Sequence, residues 1–176
     1  MEREILEIIR KRKSVRKFSD RTISDVQIKT LLEAGQQAPS VRNGQPWQYI
    51  VIKNQENKRA LSALKGSWHP LSQSAVGLCM FVDLQEYPST HKEFFAQDCA
   101  AATENILLTA AAMGIGSLWM GVYPNVTLEM AVKNILKVPA EKTVFNLIAL
   151  GYETENERKA HRKEPIIYWE CYGRSQ

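Results

Sequence analysis

Cysteine and histidine are scarce in this chain: 176 residues hold three of each. Cys79, Cys99 and Cys171 are widely spaced and form no C-x-x-C pair, which leaves a disulfide framework and a zinc cluster without support. His69, His91 and His161 stand apart from them, so no metal enzyme is expected. Long apolar runs are missing as well. No stretch approaches the roughly 20 residues that span a bilayer, and the opening MEREILEIIRKRK is charged and helix-like. A cytoplasmic protein without a membrane partner is expected. There is no Walker A pattern, internal repeat or low-complexity tract.

What is present reads as one globular domain over residues 1–176, with 44% apolar and 24% charged residues. The net charge of +4 is unevenly spread. Arg10, Lys11, Arg12, Lys13, Arg16, Lys17 and Arg21 form one basic group; Arg158, Lys159, His161, Arg162 and Lys163 form another. Such groups serve as solvated faces, phosphate sites or nucleic-acid patches. Base stacking needs aromatics interleaved with the cations, and only Phe18 lies in the first group. No nucleic-acid partner is expected.

Ile5, Ile8 and Ile9 recur at helical spacing, followed by a loop from Ser14 to Ile23. Ser24 and Gln27 form a capping box ahead of Ile28, Leu31, Leu32 and Gly35, and this helix should stop before Pro39. The run from Pro39 to Pro46 is a loop, and Tyr49 to Ile52 a short strand. Asn54 caps a helix through Leu64, with a looser segment from Gly66 to Ser74. Ala75 to Val82 is a strand covered on both faces. Phe94 to Met113 is an alanine-rich helix, apolar nearly all round and suited to close packing. Strands at 117–122 and 143–150 flank a helix at 127–136. Gly114-Ile115-Gly116 follows a helix and precedes a strand, the reverse of a dinucleotide fingerprint, so it reads as a helix stop. The alternation gives an α+β class with one central sheet.

Arg12-Lys13-Ser14-Val15-Arg16-Lys17-Phe18 has the form R-x-S-x-R-x-F. Ala38-Pro39-Ser40 with Asn43-Gly44-Gln45-Pro46-Trp47 has the form A-P-S-x-x-N-x-Q-P-W. Gln97-Asp98, Ala101, Glu104-Asn105-Ile106-Leu107-Leu108, then Gly114-Ile115-Gly116-Ser117, Trp119-Met120-Gly121 and Leu150-Gly151-Tyr152 follow in order. In these motifs, over nearly its whole length, the chain resembles the nitroreductase family. The resemblance implies a three-layer α/β/α sandwich with a mainly antiparallel sheet, in an intertwined homodimer that shares its flavin sites. It implies FMN as cofactor and NADH or NADPH as transient electron donor. A small-molecule oxidant such as a nitroaromatic or quinone would accept the electrons.

By position in the motifs, the resemblance puts Arg12, Ser14 and Arg162 at the FMN phosphate, with Lys13 beside them. Arg16 would face the N1 and C2-carbonyl edge, where reduced flavin gathers negative charge. Pro39, Ser40, Asn43 and Gln45 would reach the flavin of the other subunit, and Met120 and Gly121 would lie beside its central ring. Plainer roles stand beside these: Lys13 and Lys159 as solvated side chains, Ser14 and Asn43 as turn formers, Met120 as core. Whether His69 or Lys159 touches the cofactor is open. Because the cofactor carries the chemistry, no catalytic acid or base is needed. A flavin-binding sensor or carrier, or a flavin enzyme of this fold with another reaction, are the alternatives. The stretch after Val122 is too short for a long helical insertion over the substrate, and the tail after Gly151 lacks a clean phosphate motif.

Overall fold

The computed structural model describes residues 2–87, 89–154 and 162–173. Arg158, Lys159 and His161 lie outside them. The order of elements is α1 (Glu2–Lys11), α2 (Asp25–Gln36), β1 (Trp47–Ile52), α3 (Gln55–Ser62), α4 (Pro70–Gln73), β2 (Val76–Val82), α5 (Phe95–Ala112), β3 (Gly116–Gly121), α6 (Val126–Leu136) and β4 (Thr143–Gly151).

Local chemistry accounts for the boundaries. At α2 the Ser24 hydroxyl accepts from the Gln27 N–H at 3.3 Å, and the Gln27 side chain accepts from the Ser24 N–H at 3.0 Å. The helix ends at Gln36, clear of Pro39. Asn54 caps α3 by accepting from the Asn57 N–H, but α3 stops at Ser62 rather than reaching Leu64. The segment from Gly66 to Ser74 is more ordered than expected. A 3-10 turn at Gly66–Trp68 leads into α4, whose first residue is Pro70 with its φ already set for a helix. Trp68 and Leu71 are fully buried there, and that burial holds the short segment. Gly114 closes α5 with φ +69.

The sheet has the order β1-β2-β4-β3, with all three pairings antiparallel. Side chains alternate between its faces. Leu78, Met80, Ile148 and Leu150 pack with Ile28 and Leu31 of α2 and Ala102 and Ile106 of α5. Cys79, Leu147 and Ala149 pack on the other face with Leu61 of α3, Leu71 of α4 and Val132 of α6. Three layers result. The register shifts between Met80 and Phe81, which face Asn146 and Val144, so Phe145 is the extra residue of a bulge. Beside it, buried Asn146 donates to the Thr103 hydroxyl of α5 at 2.8 Å.

Residues 14–19 run along the free side of β3 and the end of β4. The Val15 N–H donates to the Ser117 carbonyl at 2.9 Å, and the Ser19 N–H to the Tyr152 carbonyl at 2.8 Å. The Thr154 N–H returns a bond to the Lys17 carbonyl. Val15 and Phe18 are buried, and Phe18 lies so close to Gly151 that a Cβ there would stand 2.7 Å from its ring and 3.2 Å from its Cβ. Gly151→Ala should therefore destabilise the fold by about 1–3 kcal/mol, read as a lower denaturation midpoint; an unchanged midpoint would show that Phe18 does not brace the strand end.

Candidate functional site

The segment from Arg12 to Phe18 sorts its side chains by their distance from the sheet. Val15 and Phe18 point into the core; Arg12, Lys13 and Ser14 are half-buried; Arg16 and Lys17 are exposed. Five polar residues thus line one edge of the sheet. A cavity of about 130 Å³ opens there, lined among others by Lys11, Arg12, Lys13, Gly116, Ser117 and Glu153. Its size and its cations suit a phosphate group. Both inner cations already face carboxylates: Arg12 Nε lies 3.5 Å from Glu104 and Lys13 Nζ 2.8 Å from Glu153. Glu153 follows the strand-end motif directly, and its place in this cavity was not read from the sequence.

A larger cavity of about 580 Å³ is lined by Arg16, Lys17, Phe18, His69, Gln73 and Thr154. Arg16 also donates to the Ser14 carbonyl at 3.3 Å. The structure brings His69 beside Arg16, although the two are far apart in sequence. Gln73, which sequence reasoning passed over, joins them because α4 presents it one turn after His69, with Nε2 atoms 3.4 Å apart. Pro70 was the available signal for that turn.

The loop after α2 is shaped by backbone in the left-handed region. Arg42, Asn43 and Gln45 have φ of 51°, 56° and 43°, conformations costly for residues with a Cβ. The Ser40 hydroxyl accepts from the Gln45 N–H at 2.9 Å, and the Asn43 N–H donates to the Ser40 carbonyl at 3.0 Å. Ser40 is half-buried, while Pro39, Asn43 and Gln45 are exposed. None of the four lines the two cavities above.

On β3, Met120 turns its side chain into the core, leaving only its backbone for any ligand. Gly121 is exposed, with open space where a Cβ would stand. Arg162 is exposed and lines neither cavity, so this chain does not gather it with Arg12. Cys79 and Cys99 are buried, and burial pushes each thiol up to about 12, which keeps both as inert core groups.

Comparison with known proteins places these features in a wider set. The model of the nitroreductase family matches residues 9–81 and 65–152. A protein of Archaeoglobus fulgidus, provisionally named an NADH dehydrogenase/NAD(P)H nitroreductase, is 40% identical over 156 residues, covering 88% of each chain. The crystal structure of a provisionally named NADH oxidase from Clostridium acetobutylicum superposes with a TM-score of 0.86 at 31% identity, covering 94% of this chain and 99% of that one. A provisionally named nitroreductase from Desulfovibrio desulfuricans, solved in complex with FMN, superposes with a TM-score of 0.76 at 28% identity, covering 93% and 98%.

Proposed function

Because the chain belongs to the nitroreductase family, we propose that it is an FMN-dependent oxidoreductase passing electrons from NADH or NADPH to an electron-poor acceptor such as a nitroaromatic or quinone. The observation that carries this reading is the row of Arg12, Lys13 and Arg16 along one sheet edge, with a phosphate-sized cavity at one end and a larger one at the other. That order matches the order of charge on FMN. Arg12 and Lys13, with half-buried Ser14, would hold the phosphate end. Arg16 would sit at the pyrimidine edge, where a cation favours the reduced ring. The open approach at Gly121 and the backbone of Met120 fit a flat ring lying along β3. Bound FMN would supply reversible two-electron chemistry; the protein binds it, orients it and tunes its charge.

The wider reading is one FMN-binding domain over 1–176, acting in the cytoplasm as a homodimer. The free cysteines suit a reducing compartment. No described helix is long and apolar enough to cross a membrane. For the dimer, α1 leaves Ile5, Leu6 and Ile9 exposed at 61%, 50% and 47%. The C-terminal segment presents Ile166, Ile167, Tyr168, Trp169 and Tyr172 to solvent, and the outer edge of β1 bears no strand among the described residues. A second copy that covers these surfaces would bring Pro39, Ser40, Asn43 and Gln45, and the region of Arg162, to the partner's flavin.

Three measurements test the reading. The purified protein should be yellow and should bleach when NADH or NADPH is added without oxygen. Colour without bleaching would favour a sensor or carrier, and a protein that refuses added FMN would overturn the assignment. Arg12→Ala and Arg16→Ala should each weaken FMN binding about 10-fold or more, whereas Glu153→Gln, by removing a competing carboxylate, should strengthen it a few-fold; unchanged affinity in all three would remove these residues from the site. Sedimentation should give twice the 20.0 kDa chain mass, and a monomer at micromolar concentration would rule out the shared site.

A further inference from the structure

Asp98, in the first turn of α5, is 5% exposed. Its two carboxylate oxygens accept from the Val41 backbone N–H at 3.3 and 3.2 Å, and one also accepts from the Tyr87 hydroxyl at 2.5 Å. No Lys or Arg pairs with it among the described residues. A buried carboxylate carries a heavy desolvation cost, and an apolar side chain would fill the same space without it. The helix N-terminus offsets part of that cost. The remainder is met by the two donors, and these come from separate segments: Tyr87 from the chain after β2, Val41 from the loop after α2.

Val41 is the residue before the left-handed stretch. Arg42, Asn43 and Gln45 all adopt positive φ, and the bonds within the loop, from Asn43 to Ser40, Gly44 to Val41 and Gln45 to Ser40, are local. Local bonds fix the shape of such a loop but not its position on the protein. The bond to Asp98 joins it to the rigid α5, which packs on the sheet. Tyr87, whose phenol is pushed up by burial and by the Asp98 carboxylate, stays a donor and orients that carboxylate.

We propose that Asp98 is the positioning residue for the Ser40–Gln45 loop: its carboxylate, held by Tyr87, clamps Val41 and so sets where Ser40, Asn43 and Gln45 stand when they meet FMN. Asp98 touches neither cofactor nor substrate in this role and acts through the loop. The inference rests on the reading of that loop as flavin-facing.

The test uses the full chain with three readouts: FMN affinity by fluorescence titration, hydrogen exchange at the Val41 amide without FMN, and a double-mutant cycle with Asn43→Ala. In Asp98→Asn, exchange at Val41 should rise at least 10-fold and FMN should bind about 10-fold more weakly. The Asn43→Ala effect should largely vanish in the Asp98→Asn background, because the two act through one loop. A residue that merely stabilised the fold would leave the two effects multiplicative, which would overturn the proposal. So would an unchanged Val41 exchange rate. Tyr87→Phe, which keeps the carboxylate and the helix, should move the same readouts in the same direction by a few-fold, and it carries the test if Asp98→Asn does not fold; no movement in Tyr87→Phe would then count against the clamp. If the native chain binds no FMN, the functional reading fails, while Val41 exchange still decides whether Asp98 holds the loop.

Discussion

The site depends on how the chain between α1 and α2 is seated on the sheet. Backbone bonds from the Val15 N–H to the Ser117 carbonyl, the Ser19 N–H to the Tyr152 carbonyl and the Thr154 N–H to the Lys17 carbonyl, with the burial of Phe18 against Gly151, fix its register along β3 and the end of β4. Once Val15 and Phe18 face inward, Arg12, Lys13 and Arg16 have no course but outward along the same edge. A slip of one residue would put Arg16 and Ser19, or Ser14 and Lys17, where Val15 and Phe18 now stand, burying a cation and exposing the apolar pair. The basic group is therefore positioned by its two apolar members. On the proposed reading the cations would contribute binding, and the apolar residues aim.

Helix α5 is the second fixed body. Its alanines let α2 and the sheet approach closely, and its buried polar groups are directed outward to other segments. Thr103 accepts from Asn146 at the β4 bulge and donates to the Cys99 carbonyl at 2.7 Å, while Asp98 reaches the loop after α2. Asn105 donates to the Ala34 carbonyl at the end of α2, and Glu104 faces Arg12. A single helix thus touches the N-terminal cations, the polar loop and the bulged strand. Because all three are referred to one rigid element, their spacing is set by packing rather than by the lengths of flexible connections.

Much of this could be read from the sequence where the signal is local. The Ser24–Gln27 capping box, the stop before Pro39, the Gly114 turn and the buried strands announce themselves in a few consecutive residues. Where the structure departs from expectation, the deciding contact is distant. Trp68 and Leu71 order a segment that looks irregular because the core across α3 receives them. Gln73 joins His69 and Arg16 only once α4 exists. Glu153 enters the phosphate-sized cavity because Phe18 pairs with it across an isolated bridge. The Asp98–Val41 bond spans 57 positions and has no local trace. Met120 shows the limit of a motif: its place was legible, but the direction of its side chain was set by strand parity.

Glu153 lines the phosphate-sized cavity and Glu104 pairs with its Arg12, so both carboxylates would oppose an anion there, and magnitudes decide whether one could still bind. Arg12 and Lys13 keep 17% and 15% of their side-chain surface, with Glu104 at 46% and Glu153 at 23%. Ion pairs this near to water contribute about 0–1 kcal/mol each. A phosphate offers more charge and several acceptor oxygens to the same two cations, with hydrogen bonds to charged groups of about 1.5–3 kcal/mol each. On the proposed reading it would therefore outcompete the carboxylates. Without a phosphate, the pairs restrain two long side chains that line the cavity, and so would spare part of the roughly 0.5–1.5 kcal/mol that ordering each would cost on binding. The carboxylates would then lower the final affinity slightly and favour a group able to displace both.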